Sequence, residues 1–142
     1  MKRKSAYLLI ALVVCVAAVF VVYKKQAAAP QLPGQIIVTI GPENESGQSG
    51  NAVLSEVDGK AKVVLDLMGG PKDIMQPAHI HSGPCSDIGA VRYPLVFPVN
   101  GKSETMLEVS LGELRATAPL AINVHKSKEE ITVYTACGDI VF

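Results

Sequence analysis

The stretch AVLSEVDGKAKVVLDLM, residues 52–68, determines the predicted fold class of this chain. At its centre stands Asp58-Gly59, a dipeptide that favours the positive φ angles of a tight type I′ turn. After the turn, every second residue from Val63 to Leu67 is apolar, and the residues between them are partly polar. The stretch therefore predicts a β-hairpin with one face directed towards a core.

Short strand patterns separated by turn residues continue on both sides of this hairpin. Asn100-Gly101 predicts a second hairpin, and the 12 Gly and 9 Pro of the chain favour short elements over long helices. The predicted strands are Gln35 to Ile40, Ala52 to Val57, Lys60 to Met68, Gln76 to His81, Leu95 to Val99, Glu104 to Leu111, Leu120 to His125 and Ile131 to Phe142. Ser82 to Pro94 is predicted as an irregular loop, and Leu111 to Leu114 as a helical turn. We therefore expect an all-β fold, a Greek-key β-sandwich or barrel of about seven to eight strands.

An apolar segment precedes the predicted β domain. Residues 6–23 form an uncharged run of 18 residues, which is long enough to span a bilayer. The basic residues at positions 2–4 keep the N terminus in the cytoplasm by the positive-inside tendency. We predict one transmembrane helix in a signal anchor over residues 1–25, a linker over residues 26–33 and an extracytoplasmic β domain over residues 34–142. The alternative is a cleaved signal peptide and a secreted domain.

The charge of the exported part limits the partners it could bind. From Pro30 onward 8 basic residues stand against 13 acidic ones, a net charge of −5. Phosphate binding requires clustered Lys and Arg, so nucleic acid is not expected as a partner. The predicted helix makes the membrane a partner, and the sequence does not indicate any protein partner. Nucleophilic catalysis is not indicated either, because no Ser lies in a Gly-x-Ser-x-Gly turn.

Two of the three cysteines, Cys85 and Cys137, lie in the predicted exported part. An even number of cysteines in an oxidising compartment favours one disulfide. The alternative is a pair of free buried thiols. A disulfide would hold a late strand against an earlier loop.

The three histidines of the chain fall into two strand-end motifs. His79 and His81 are two residues apart on a predicted strand, so their imidazoles leave the same face while Ile80 points into the core. His125 ends another predicted strand and could supply a third nitrogen if the two strands lie side by side or face each other. Such a cluster suits zinc, copper, iron or nickel, and the spacing does not choose among them. The alternative is that the histidines are ordinary polar residues at strand ends.

Four motifs in the same order resemble those of the Cu/Zn superoxide dismutase family, over roughly residues 52–142. Two resemble its copper-binding motifs, and two resemble the segments that carry its disulfide. They are Ala78-His79-Ile80-His81, resembling the family's His-Val-His strand; Cys85 to Gly89 followed by Pro94-Leu95, resembling its cysteine loop; Asn123 to Lys126, resembling Val-Val-His; and Ala136 to Ile140, resembling the terminal Ala-Cys-Gly-Val-Ile strand.

The resemblance implies a copper-binding protein with one copper ion as its cofactor. By this resemblance His79, His81 and His125 are the copper ligands, and Cys85 pairs with Cys137 in a disulfide. Taken with the predicted anchor, it implies a membrane-anchored, extracytoplasmic protein similar to superoxide dismutases.

Two departures from the family pattern concern zinc and superoxide. Val91 stands where the family has the histidine that bridges copper to zinc, and no further zinc-binding cluster follows, so a zinc site is not expected. Tyr134 replaces the arginine that attracts superoxide in the family. Whether the protein is an enzyme stays open, and any superoxide dismutase activity is expected to be weak.

The chain also resembles small exported bacterial proteins grouped with the CHRD domain. They share motifs of the type found here at residues 77–83 and 121–127, PAHIHSG and AINVHKS. That grouping implies an exported β-sandwich without catalysis, so a non-catalytic structural or interaction domain is the alternative function. Asn123, Lys126 and Asp139 support the ligands if copper binds, and are turn and surface residues in the alternative.

Overall fold

The computed structural model describes residues 34–142, and the secondary structure of this part of the chain is mostly β. Its strands are β1 (Gln35–Pro42), β2 (Ser49–Val57), β3 (Lys60–Met68), β4 (Ala78–Ser82), β5 (Val91–Pro94), β6 (Lys102–Met106), β7 (Leu120–His125) and β8 (Tyr134–Ile140). A 3-10 turn at Cys85–Asp87 and a short helix, α1 (Leu111–Ala116), complete the elements. All the strands pair antiparallel, in the sheet order β5-β4-β7-β8-β1-β2-β3-β6.

Strand β1 joins the two halves of this sheet. Residues Gln35 to Ile40 pair with β2, whereas Gly41 and Pro42 pair with β8. The sheet curls about β1, so that apolar residues from both halves pack into one core as in a sandwich. The largest fully buried side chains of this core are Ile40, Leu54, Leu65, Ile80, Leu114, Leu120 and Ile122. The predicted all-β class is thus confirmed, and the described residues contain eight strands.

The two predicted type I′ turns have the backbone that their sequences indicate. Asp58 and Gly59 have φ angles of 50° and 75°, and Asn100 and Gly101 have φ angles of 51° and 79°. Positive φ at both central residues gives a hairpin turn the twist of its flanking strands. The first hairpin therefore pairs over its whole length, from Val57 with Lys60 to Ser49 with Met68.

The second hairpin is shorter than the sequence predicts. Of the predicted strand Leu95 to Val99, only Val99 makes bridges, to Met75 and Lys102. The amide groups of Leu95 and Val96 instead donate to the carbonyl oxygen of Ala78 and to Oγ1 of Thr105. A proline at position 98 removes a further donor, which disfavours a regular ladder. The prediction of a strand here is wrong.

Two neighbouring predictions are also corrected. The strand predicted to reach Leu111 ends at Met106, and a reciprocal capping box of Ser110 and Glu113 starts helix α1 at Leu111. The loop predicted from Ser82 to Pro94 contains strand β5, which pairs with β4.

In the described part of the chain, no helix combines the length and the apolar character that crossing a membrane requires. The predicted signal anchor at residues 1–25 and linker at residues 26–33 lie outside the described residues.

Candidate metal centre

Strands β4 and β7 bring the three histidines together. The two strands are neighbours in the sheet, with Ile80 opposite Ile122 and His79 opposite Asn123. Both isoleucines are buried in the core, so by strand alternation His79 and His81 leave the opposite face, as predicted. His125 ends β7 one residue beyond the pair formed by Ala78 and Val124. Its imidazole ring can therefore reach the two histidines on the neighbouring strand β4.

The ligand nitrogens of His79, His81 and His125 all lie within 4.8 Å of one another. The closest pair is Nδ1 of His79 and Nε2 of His125, at 3.2 Å. The ring centroid of His79 lies 5.5 Å from that of His81 and 5.1 Å from that of His125. His81 and His125 are each only 5% exposed, whereas His79 is half-buried, so the cluster meets solvent on the His79 side.

Two backbone carbonyl groups orient two of the rings. Nδ1 of His81 lies 3.0 Å from the carbonyl oxygen of Gly89, and Nδ1 of His125 bonds to the carbonyl oxygen of Ile131. A carbonyl oxygen only accepts, so each Nδ1 donates its proton and each neutral ring keeps a free lone pair on Nε2. This is the arrangement in which an outer hydrogen bond fixes the tautomer of a metal-binding histidine.

Burial favours the neutral form of His79 and His125. Burial, together with the charges of His125 and His81, lowers the pKa of His79 to about 4. Burial also lowers the pKa of His125, against the opposing effect of its hydrogen bond to Ile131. Neutral imidazole is the form that binds metal ions, so the site is ready for a cation at neutral pH.

The donor set fits a transition-metal ion. Nε2 of His81 is buried and makes no hydrogen bond to any group in residues 34–142. A buried nitrogen without a partner costs free energy, and a cation would use its lone pair. Nδ1 of His79 and Nε2 of His125 lie within reach of the same ion. Three imidazoles suit copper, zinc, iron or nickel.

Two aromatic residues flank the cluster. The ring of Phe97 meets His79 edge-on with centroids 6.2 Å apart, and Lys128 places its ammonium group 5.6 Å from the centre of the Phe97 ring. Tyr134 meets His125 edge-on at 5.0 Å. These contacts limit the movement of two of the three imidazoles.

The disulfide anchors the loop that carries the Gly89 carbonyl group. Cys85 and Cys137 form the predicted disulfide, with their Cα atoms 5.9 Å apart. The amide group of Cys85 also donates to Oδ1 of Asp139 at 2.6 Å. The loop after β4 is therefore attached to β8 at two adjacent points, close to the carbonyl group that orients His81.

The other residues singled out in the sequence have mixed positions. Asn123 is fully buried opposite His79, whereas Lys126 is exposed and pairs with Glu130 at 2.8 Å. Val91 pairs in register with His81 and is 50% exposed. The carbonyl groups of Gly89 and Ile131 were not predicted, because a backbone oxygen has no residue type that marks it in a sequence.

The curled antiparallel sheet gives this chain a fold similar to that of solved superoxide dismutase structures. Among solved structures, the chain is similar to variants of superoxide dismutase 5 from Candida albicans. One is 21% identical with a TM-score of 0.54, covering 78% of this chain and 90% of that chain. Two more are 18% identical, with TM-scores of 0.50 and 0.51, and cover 77% and 79% of this chain and 92% and 93% of theirs.

At these identities the likeness concerns the fold. No protein-family model and no curated protein matches the sequence. The resemblance to the dismutase fold is thus confirmed at the level of architecture, and the CHRD resemblance stays a prediction.

Proposed function

We propose that the protein binds one copper ion through Nδ1 of His79, Nε2 of His81 and Nε2 of His125. The observation that carries this proposal is the convergence of the three nitrogens, two of them on rings whose other nitrogen is bonded to a carbonyl group. Imidazole donors alone leave several metals open. Copper is preferred because the fold is shared with proteins named superoxide dismutases and the sequence motifs resemble copper ligands.

The reaction we propose is slow dismutation of superoxide. Bound copper would supply one-electron exchange, in which one superoxide is oxidised to dioxygen and a second, with two protons, is reduced to hydrogen peroxide. The protein would hold His79 and His125 neutral and keep His81 and His125 away from solvent. His79, which is half-buried, would mark the side from which a small anion enters.

Three features support a slow rather than a fast reaction. Val91 cannot deliver a proton beside His81, and Tyr134 stands where the resemblance expects an arginine. The net charge of −5 over the exported part gives no general attraction to an anion at long range. One feature acts in the opposite direction: Lys128, beside Phe97, offers a local positive charge near His79.

The proposed location is outside the cytoplasm, on a membrane. A disulfide that closes a long loop is typical of proteins exported to an oxidising compartment. Anchoring is supported by the apolar run at residues 6–23 and the basic residues on either side of it. A cleaved and secreted form is the alternative.

Metal analysis of the full chain, purified in detergent after copper supplementation, tests the proposal. We expect about one copper per chain, and a sharply weaker affinity after any single His→Ala change at positions 79, 81 or 125. Lys102→Ala is the control, because Lys102 lies on β6, away from β4 and β7, and its exposed side chain pairs with Asp66. A triple His→Ala variant that binds copper as well as the parent would overturn the proposal. A parent that binds no copper would favour the non-catalytic alternative.

A further inference from the structure

A buried pair of glutamine side chains lies next to the backbone of His125. Gln48 immediately precedes β2, Gln76 lies two residues before β4, and each is only 1% exposed. Nε2 of Gln48 donates to Oε1 of Gln76 at 2.7 Å, and Nε2 of Gln76 donates to Oε1 of Gln48 at 2.9 Å. This reciprocal pair uses one donor and one acceptor of each amide, and leaves one N–H group of Gln76 for other partners.

The remaining N–H group of Gln76 is directed at His125, which ends β7, and at Thr135 on β8. Its Nε2 lies 3.0 Å from the carbonyl oxygen of His125 and 3.3 Å from Oγ1 of Thr135. The amide group of His125 donates to the carbonyl oxygen of Pro77 at 2.8 Å. Both backbone polar groups of His125 are therefore bonded to two consecutive residues that lie just before His79 on the chain.

This attachment lies where the regular strand pairing around His125 is interrupted. The register between β7 and β8 shifts between Val124 and His125, and the pairing of β4 with β7 ends at Val124. Regular ladder hydrogen bonds are interrupted at such an irregularity. The glutamine side chain replaces the missing ladder contact at the residue whose ring must face His79.

The backbone of Gly70 leaves the space that the pair occupies. A Cβ atom at Gly70 would lie 2.5 Å from Nε2 of Gln48 and 2.9 Å from Oε1 of Gln76, although the φ angle of Gly70 is one that other residues adopt. Any side chain at position 70 would thus press on the amide pair. A Cβ atom here would therefore displace the ends of the two amide side chains without straining the backbone of residue 70.

We infer that Gln76, held by Gln48, is a positioning residue of the metal site. It sets the backbone of His125 against the segment that leads into β4, so that Nε2 of His125 meets Nδ1 of His79 at 3.2 Å. For the metal itself the inference rests on the proposed function. The part of the inference that concerns the geometry of the histidines does not depend on a bound metal ion.

The first measurement uses the copper-free full chain labelled with 15N. Its three histidines give few ring-nitrogen signals in an NMR spectrum, so each ring is followed separately. We expect Gln76→Leu combined with Gln48→Leu, which leaves neither amide alone in the interior, to shift or broaden the ring signals of His125. Gly70→Ala is expected to produce the same change in smaller degree. Signals of His125 that stay unchanged in both variants would overturn the inference.

The second measurement is copper affinity, by competition with a colorimetric copper chelator. We expect the double variant to bind copper about tenfold more weakly, the lower end of the effect of residues that orient metal ligands. Leu54→Val is the control, because Leu54 is fully buried on β2, which does not pair with β4 or β7. An affinity that falls no more than in this control would mean that the pair serves stability only and would overturn the inference. If the parent itself binds no copper, the proposed function fails, and the NMR measurement still decides the role of Gln76.

Discussion

Nδ1 of His79 lies 3.2 Å from Nε2 of His125, although 46 residues separate the two histidines along the chain. Because the His125 ring donates from Nδ1 to Ile131, its Nε2 faces His79 as an acceptor. A single proton between the two nitrogens leaves both rings neutral in the metal-free protein, whereas a second would make His125 a cation and set two N–H groups against each other. The contact therefore favours either one shared proton or one metal ion.

We expect the copper-free protein to lose stability as the pH falls from 6.5 towards 4. The pKa of His79 is lowered to about 4 in the folded protein by burial and by the charges of His125 and His81, against 6.5 for an unperturbed histidine. Between these values the unfolded chain binds more protons, so acid favours unfolding, and the stability is fully present above pH 6.5. Urea unfolding over this range measures the effect. His79→Gln should flatten the dependence, and an identical pH profile in both proteins would contradict the prediction.

Removing the disulfide should strongly destabilise the domain. Cys85 and Cys137 are 52 residues apart, and closing a loop of that length is worth about 4 kcal/mol in the chain-entropy model. The double change to Ser is expected to lower the free energy of unfolding by about 2–5 kcal/mol. Thermal unfolding followed by circular dichroism measures it. Cys15→Ser, at the third cysteine and within the predicted signal anchor, is the control and should leave the melting temperature unchanged. Equal melting temperatures for all three proteins would contradict the prediction.

Gly138→Ala should destabilise the contact between β8 and β1. A Cβ atom at Gly138 would lie 2.5 Å from the carbonyl oxygen of Thr39 and 2.7 Å from Cδ1 of Ile40. Overpacking of this kind costs about 1–3 kcal/mol. Gly112→Ala is the matched control, because its Cβ would come no closer than 3.7 Å to Ser110 and would support helix α1. Urea unfolding measures the free energy of unfolding of both variants. Equal values for Gly138→Ala and Gly112→Ala would contradict the prediction and would show that β8 and β1 separate easily.

Superoxide dismutation by the copper-loaded protein should be slow, and Tyr134→Arg should accelerate it. The change places a positive charge beside His125, where Tyr134 now packs at 5.0 Å, and an added cation raises the association rate of an anion most at low salt. Pulse radiolysis at two salt concentrations measures the rate. Tyr134→Gln, which removes the ring without adding charge, is the control. A parent rate near the diffusion limit would contradict the prediction, as would equal rates for the Arg and Gln variants.

Val91→His should accelerate the same reaction by a different route. Val91 is 50% exposed and pairs in register with His81, so an imidazole there would offer a proton donor beside the cluster. Its effect should therefore appear in the pH dependence of the rate rather than in its salt dependence. Val91→Gln is the neutral control. A rate that changes equally in the two variants would exclude a role for the added imidazole.

Local sequence predicted the parts of the fold that local chemistry determines. Asp58-Gly59 and Asn100-Gly101 form turns because few other residues accept positive φ at two successive positions. The strand alternation around Ile80 is likewise local, and it correctly predicted that His79 and His81 leave the same face. The pairing of β4 with β7, which brings His125 to them, is a tertiary contact that sequence spacing could only leave open.

The remaining parts depend on partners that are distant in sequence. Leu95 and Val96 have strand-forming side chains, yet their amide groups bond to β4 and to Thr105 instead of continuing a hairpin. The sequence pattern predicts Gln76 at the start of a strand and Gln48 in a polar loop, and only the folded chain makes them a buried pair. Such outcomes follow from competition among distant hydrogen-bond partners, which a local pattern does not record.

The position of β8 between β7 and β1 has a consequence for how the protein is made. β8 lies between β7 and β1 and is the last strand in the described residues. The two halves of the sheet therefore stay separate until the residues up to Ile140 have left the ribosome. During that interval β1 and β7 each have an unpaired edge. His125 also lacks its neighbour β8, the strand that follows the loop after it. Chaperone binding during biosynthesis would therefore be most needed before β8 has emerged, and the metal ion would enter a site that forms only after β8 has paired.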